Sequence, residues 1–263
     1  MKKPVLTIAG SDPSGGAGIQ ADLKALSANN VFGMSILTSI TAQNTCGVSS
    51  VFHLPSSIIQ AQLDAIFSDI SVTTIKTGML ATVEIMTTVS HALTTQRIEH
   101  LVVDPVMVAK GGHVLLDNEA ISTLKDTLCP QATLITPNIH EAEVLSGITI
   151  QTLAEARNAA KIIHQLGCQY VLIKGGHLSE QPGTDLLYDG RFFRMFKADF
   201  IQTKHTHGSG CTLASAIAAQ LAKGKSMADA IEAAKSYTTE AIRFGFSLGQ
   251  GHGPTDHFYF LPR

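Results

Sequence analysis

Short apolar runs rich in β-branched residues recur along the chain at Val5–Ala9, Ser35–Ala42, Thr74–Met79, Leu101–Val106, Thr133–Thr136 and Tyr170–Lys174. Stretches of helical period lie between them. The clearest is Ser57–Ile70, where Ile58, Ile59, Leu63, Ile66, Phe67 and Ile70 share one face. Asn118–Leu128 and Leu153–Leu166 read alike, the second closed by Gly167 as a C′ glycine. A helix is also predicted to begin near Ile19. Strands alternating with helices predict a mainly parallel sheet covered on both faces. The stretch Asp185–Phe196 departs from this rhythm, because Asp189-Gly190 between two apolar runs signals a hairpin and a local antiparallel edge. Two Ala-rich helices follow, Cys211–Ala222 and Met227–Phe244. With no linker, repeat or low-complexity tract, residues 1–263 are expected to form one domain.

Composition narrows the function classes. Charged residues make up 15% of the 263, against roughly 25% in soluble domains at large, and 44% are hydrophobic, which excludes a disordered chain. Nineteen basic against 21 acidic residues give a net charge of −2, with no Trp and four Tyr, so no nucleic-acid partner is expected. The apolar run at Val5–Ala9 stops at Gly10-Ser11-Asp12, too soon for a signal sequence or a membrane span. Cys46, Cys129, Cys168 and Cys211 lack C-x-x-C spacing and are too sparse for a disulfide framework. The expectation is a cytoplasmic protein that works on small molecules.

Ligands of open α/β sheets bind beyond the carboxyl ends of the strands, which directs attention to a few segments. Gly10–Gly18 follows the first run, and Gly16-x-Gly18-x-x-Ala21 matches a relaxed dinucleotide fingerprint. No acidic residue stands between Asp22 and Asp64 to hold a ribose, so a nicotinamide-dependent dehydrogenase is a distant alternative. Two other readings stand beside it: a flexible turn, or a loop that closes backbone amides over a small polar ligand with Asp22 at its edge. No G-x-x-x-x-G-K-[ST] motif occurs. Thr206-His207-Gly208-Ser209-Gly210-Cys211-Thr212 precedes an apolar helix and can turn consecutive amides toward an anion, or can be a helix start capped by Ser209 or Thr212. Context favours the anion site. Asp104 ends a buried run, Asn138 and Glu141 place an amide and a carboxylate three apart, and Lys174-Gly175-Gly176 ends another strand with a cation. Together they supply the parts of phosphoryl transfer, with oxygens suited to Mg²⁺.

At these residues the chain resembles the ribokinase-like superfamily, and within it the hydroxymethylpyrimidine kinase/phosphomethylpyrimidine kinase family of thiamin biosynthesis. The matching stretches are TIAGSDPSGGAGIQADLK (7–24), TAQNTCGV (41–48), KTGML (76–80), VDPVMVAKGG (103–112), TPNIHEAE (136–143), KGGH (174–177) and THGSGCTLASA (206–216). The resemblance implies a three-layer α/β/α sandwich around a mainly parallel sheet, ATP as co-substrate with Mg²⁺, and a homodimer. It also implies two successive reactions. The 5-hydroxymethyl group of 4-amino-5-hydroxymethyl-2-methylpyrimidine is phosphorylated first, and the monophosphate then becomes the diphosphate. Carried over by motif, Gly10, Asp22, Gln43, Met79 and Val106 surround the pyrimidine. Lys174, Asn138 and Thr206 serve the nucleotide phosphates, Glu141 and Asp104 hold the metal (Asp104 through water), and Gly208, Ser209, Gly210 and Cys211 form the anion hole.

The residues suit those roles. The Gln43 amide complements the donor and ring acceptor of an aminopyrimidine edge, and Met79 offers a soft apolar wall. Gly78, Gly111 and Gly112 suit a site that closes and excludes water. His113, His177, His205 and His207 are read as loop histidines rather than a metal cluster, since no H-E-x-x-H spacing occurs. Where most of the superfamily carries an Asp general base, this chain has Cys211, whose thiol the helix dipole and Lys174 are expected to draw toward neutrality. A related pyridoxal-kinase branch also carries Cys at that position and is the competing reading. Gln43 favours the pyrimidine, as does Ala109, where that branch commonly places a second Cys.

Overall fold

The structure, a computed structural model, describes residues 2–108, 112, 116, 118–175 and 182–262. Ala109, Gly111, His113, Gly176 and His177 therefore lie outside the described residues. Among the described residues nine strands form one sheet: β1 (Pro4–Ser11), β2 (Phe32–Asn44), β3 (Gly47–His53), β4 (Thr74–Thr77), β5 (His100–Val103), β6 (Leu134–Ile135), β7 (Tyr170–Ile173), β8 (Thr184–Tyr188) and β9 (Phe193–Lys197). Their order is β3-β2-β1-β4-β5-β6-β7-β8-β9. The run from β2 to β7 is parallel, while β3 pairs antiparallel with β2 at one edge and β8–β9 pair antiparallel at the other. The hairpin read from Asp189-Gly190 is present. Asp189 Oδ1 accepts the Arg191 and Phe192 N–H groups, and Gly190 takes a φ of 89°.

The period of two along the strands divides the interior into two cores. Leu6, Ile8, Leu101, Val103, Val171 and Ile173 face one, and Val5, Val102 and Leu172 face the other. Over the first lie α2 (Ser56–Phe67), α3 (Val83–Thr94), α4 (Asn118–Thr123), α5 (Ile139–Ser146) and α6 (Leu153–His164). Over the second lie α1 (Gly18–Ala28), α7 (Ser209–Ala222) and α8 (Met227–Arg243). The result is the three-layer α/β/α sandwich expected. Its small residues suit α7 to its position: Thr212–Leu221 is an unbroken buried stretch against α1, α8 and the strands beneath.

Some boundaries differ from those the pattern predicts. The runs at Thr74–Met79 and Leu101–Val106 leave the sheet at Thr77 and Val103, because Gly78 and Asp104 turn into the wall of a cavity. The helix expected over Asn118–Leu128 is α-helical only to Thr123, then widens to a π turn over Leu124–Leu128 before a 3₁₀ turn at Cys129–Gln131. Gly167 is not C′ of α6. The helix is capped at Gln165, and Gly167 stands two residues farther on, closing a tightened last turn through its N–H to the His164 carbonyl. Among the described residues no helix is long and apolar enough to cross a membrane.

Candidate active site

A cavity of about 600 Å³ opens beyond the carboxyl ends of the parallel strands. Taken in the order of the strands across the sheet, its lining residues run from Gly10, Gln43, Met79 and Val106, through Asp104, Lys174 and Gly208–Cys211, to Gly183, Ala198, Phe200 and Ile242. This is where a parallel α/β sheet binds ligands, because several strands stop there together and release loops on the same side.

Two glycine-rich loops interlock to form its floor. Asp12, just past β1, organises the first loop: its Oδ1 accepts Ser14 N–H and Oγ–H at 2.9 and 2.7 Å, and its Oδ2 accepts Ala17 N–H at 2.8 Å. The same Oδ2 lies 2.8 Å from His207 Nε2 on the second loop. Burial pushes the Asp12 carboxyl up, but His207 and Ser14 outweigh it and hold it below the ordinary value. Gly208 sits in the left-handed region at φ 76°, and a Cβ there would collide with the Gly16 carbonyl. Gly10 is less constrained, since a Cβ there would meet only the terminal methyl of the flexible Met79 side chain.

The second loop leads into α7 without a side-chain cap. Gly208 is the N-cap residue, so neither Ser209 nor Thr212 fills that role; Thr212 Oγ1 instead donates back to the Gly208 carbonyl at 2.9 Å. The Ser209 N–H is taken by the Thr206 carbonyl at 3.2 Å. The Gly210 and Cys211 amides have no acceptor among the described residues and open onto the cavity at the positive end of the helix dipole. That is an anion cradle.

Cations and carboxylates surround it. Lys174, just past β7, donates to Asp104 Oδ1 at 2.9 Å and lies 3.8 Å from Glu141 Oε2. Thr136 Oγ1 also donates to Asp104, at 3.3 Å. Asn138 and Glu141 form the capping box of α5, with Asn138 N–H donating to Glu141 Oε2 at 2.7 Å and Glu141 N–H to Asn138 Oδ1 at 2.9 Å. Burial pushes the Glu141 carboxyl up to about 7; Lys174 opposes this and Asp104 reinforces it. Lys76 on β4 donates to both oxygens of Asp22 at 2.9 Å. Asp22 further accepts from Thr7 Oγ1 at 2.6 Å and Ser215 Oγ at 2.8 Å. Burial alone would lower the Lys76 pKa, but Asp22, then Cys211 and Asp104, raise it instead.

Comparison with known proteins agrees with this geometry. The family model described as phosphomethylpyrimidine kinase matches residues 12–256. The chain belongs to that family. It is 47% identical over 256 residues to the hydroxymethylpyrimidine/phosphomethylpyrimidine kinase of Bacillus subtilis, covering 97% of this chain and 94% of the relative. It is 51% identical to a thiamine biosynthesis bifunctional protein of Geobacter sulfurreducens, where the match covers 96% of this chain and 52% of the relative; the chain spans about half the length of that protein. An ADP complex of Bacillus subtilis pyridoxal kinase superposes with a TM-score of 0.92 at 44% identity, covering 99% of each chain.

Against this phosphomethylpyrimidine kinase frame, most of the expected site residues gather in one cavity: Gly10, Gln43, Met79, Val106, Asp104, Asn138, Glu141, Lys174, Thr206 and Gly208–Cys211. Asp22 does not. Expected at the substrate wall, it is fully buried behind Lys76, because a carboxylate bonded on every side to Lys76, Thr7 and Ser215 has no face left for a ligand. Cys211 is corrected as well. Burial, reinforced by Asp22 and Asp104, pushes its thiol up to about 12 despite the opposing charge of Lys76, so it is not drawn toward neutrality. His207 lies on a loop, as read, but its side chain is buried as a partner of Asp12 and also lies 3.4 Å from Gln43 Nε2. Sequence reasoning missed Asp12, His207 and Lys76. For Lys76 a signal existed, a lysine inside a run that is otherwise Thr, Ile, Gly and Met.

Proposed function

We propose that the protein transfers the γ-phosphoryl group of ATP to the hydroxymethyl group of 4-amino-5-hydroxymethyl-2-methylpyrimidine, and then a second phosphoryl group to the resulting monophosphate. The observation that carries this reading is the single cavity in which Gln43 and Met79 lie at one end and the Gly210–Cys211 amides, Lys174 and Asp104 at the middle. At the first end the Gln43 amide offers a donor and an acceptor side by side to an aminopyrimidine edge, and Met79 covers the ring. The far end, with Ala198, Phe200 and Ile242, gives an apolar seat for the nucleoside.

The residues at the middle supply positioning and charge. The Gly210 and Cys211 amides take the oxygens of the transferring group, and Lys174 reaches the same place once its hold on Asp104 is shared with phosphate. Asp104 and Glu141 offer two carboxylates beside the cradle. Among the described residues no three His, Cys, Asp or Glu side chains form a closed metal cage, and that donor set fits Mg²⁺, which takes one or two carboxylates plus water and phosphate oxygens. When bound there the ion screens charge between the phosphates. With its thiol held protonated, Cys211 contributes its backbone amide rather than a base, which a loose transition state tolerates. The second step needs no base, because a phosphate nucleophile is already ionised.

The protein is further proposed to act as one cytoplasmic domain and as a homodimer. Its four cysteines are free. Ile40 and Phe52, directly opposite each other on β2 and β3, are 47% and 62% exposed and offer apolar surface for a second copy. The functional test is ADP release with the pyrimidine alcohol, its monophosphate and pyridoxal side by side. Turnover is expected with both pyrimidines and slower with pyridoxal. Faster turnover of pyridoxal than of either pyrimidine would overturn the assignment.

A further inference from the structure

A lysine buried in the middle of a sheet needs a reason. All four residues of β4 are buried, and the Lys76 side chain is 0% exposed. Its ammonium bonds both oxygens of Asp22, and Thr7 from β1 and Ser215 from α7 complete that carboxylate. Four elements thus meet at one ion pair. Stability is a weak explanation, because replacing a buried ion pair by neutral groups of similar shape is often neutral or stabilising.

The pair is oriented. Lys76 belongs to the cavity lining and Asp22 does not, so the positive end is turned toward the site. An ammonium has three N–H groups, and among the described residues Asp22 is the only hydrogen-bond acceptor for Lys76. Its position relative to α7 is equally specific. Cys211 is close enough to feel the charges of both Lys76 and Asp22, and Ser215 stands one helical turn after it on the same network. Asp104 adds a second carboxylate to this floor, and the other cation, Lys174, is already engaged by it. Without Lys76 the floor would carry a net negative charge at the spot where phosphoryl oxygens collect.

We infer that Lys76 is a positioning residue for phosphoryl transfer: a fixed cation under the first turn of α7, braced by Asp22, that keeps the floor of the Gly210–Cys211 cradle positive toward the cavity. It acts through the cradle and does not itself touch the substrate. The inference rests on the kinase reading of this cavity but not on which alcohol is phosphorylated.

The test is the double variant K76M/D22N, since K76M alone strands a buried carboxylate and is expected to unfold. The double variant restores neutrality, keeps the shape, and leaves an amide for Thr7 and Ser215. Its thermal midpoint and its pyrimidine KM should stay near wild type, while kcat falls about tenfold to a hundredfold in both steps, less than the roughly hundredfold to thousandfold that loss of a direct anion-hole donor costs. A double variant that folds and keeps wild-type kcat makes the pair structural and overturns the inference; so does one that no longer folds. Wild-type enzyme run in parallel separates the two readings. If it phosphorylates pyridoxal but neither pyrimidine, the substrate assignment fails and the variant is scored on pyridoxal.

Discussion

Replacing Glu141 by Gln should make the protein more stable at alkaline pH and less active at every pH. Glu141 is 5% exposed, and its carboxyl is pushed from 4.5 up to about 7. The folded state therefore holds the proton more tightly than the unfolded chain. Below pH 4.5 both states are protonated and no cost arises. As pH rises from 4.5 to 7 the unfolded chain ionises first and the native state loses stability, and above pH 7 the full cost of the buried charge is present. At 1.36 kcal/mol per pKa unit that cost is about 3 kcal/mol. Glutamine at this third position of α5 still accepts the Asn138 N–H, so the capping box survives the change. Urea unfolding in metal-free buffer should then show Glu141→Gln more stable than wild type by about 3 kcal/mol at pH 8.5, and the difference should vanish near pH 4.5. Turnover should drop and need more Mg²⁺, while pyrimidine binding without nucleotide stays near normal. A variant equally destabilised at pH 5 and pH 8.5 would refute the argument from a buried, costly charge; intact turnover and metal dependence would refute the assignment to the phosphate side.

Gln43→Met should weaken pyrimidine binding by about 1–3 kcal/mol, because ring polar atoms lose their partners on burial; an unchanged pyrimidine KM removes Gln43 from recognition. Cys211→Ala should lower the first and second phosphorylations to the same small extent, since a thiol pushed up to about 12 is not a base at neutral pH and the alanine keeps the backbone amide. Selective loss of the first step, measured by separate alcohol and monophosphate turnover, would restore the sulfur as a base.

The alternation of strands and helices was readable because each core strand carries its apolar side chains to both faces. What escaped did so for identifiable reasons. Edge strand β3, Gly-Val-Ser-Ser-Val-Phe-His, is largely exposed and lacks the apolar density of the others. Helix α3 is full of Val, Ile and Thr, residues of weak helix propensity, and is fixed by the Thr82 cap and by packing. The pair Asn138 and Glu141 pointed to metal chemistry, yet the same spacing is also a capping box, and the structure shows both residues starting α5 at the rim of the cavity. A buried polar residue at a strand end singled out Asp104. Applied to Lys76, the same reasoning would have found the ion pair; its partner Asp22, on α1, could not be paired with it from sequence because the two are brought together only by the packing of α1 on the sheet.

The two faces of the sheet are covered on different schedules as the chain is made. On one face the helices α2 to α6 arrive between the strands they cover, so each apolar patch is sealed soon after it is synthesised. On the other, Val5, Val102, Leu134 and Leu172 pack under residues of α7 and α8, which emerge last. The anion cradle shares that delay, since Ser215 cannot reach Asp22 until α7 docks. A ribosome-bound chain stopped before residue 209 would thus present a nearly finished sheet with one hydrophobic side covered by α1 alone, the kind of surface that invites misassembly or a chaperone.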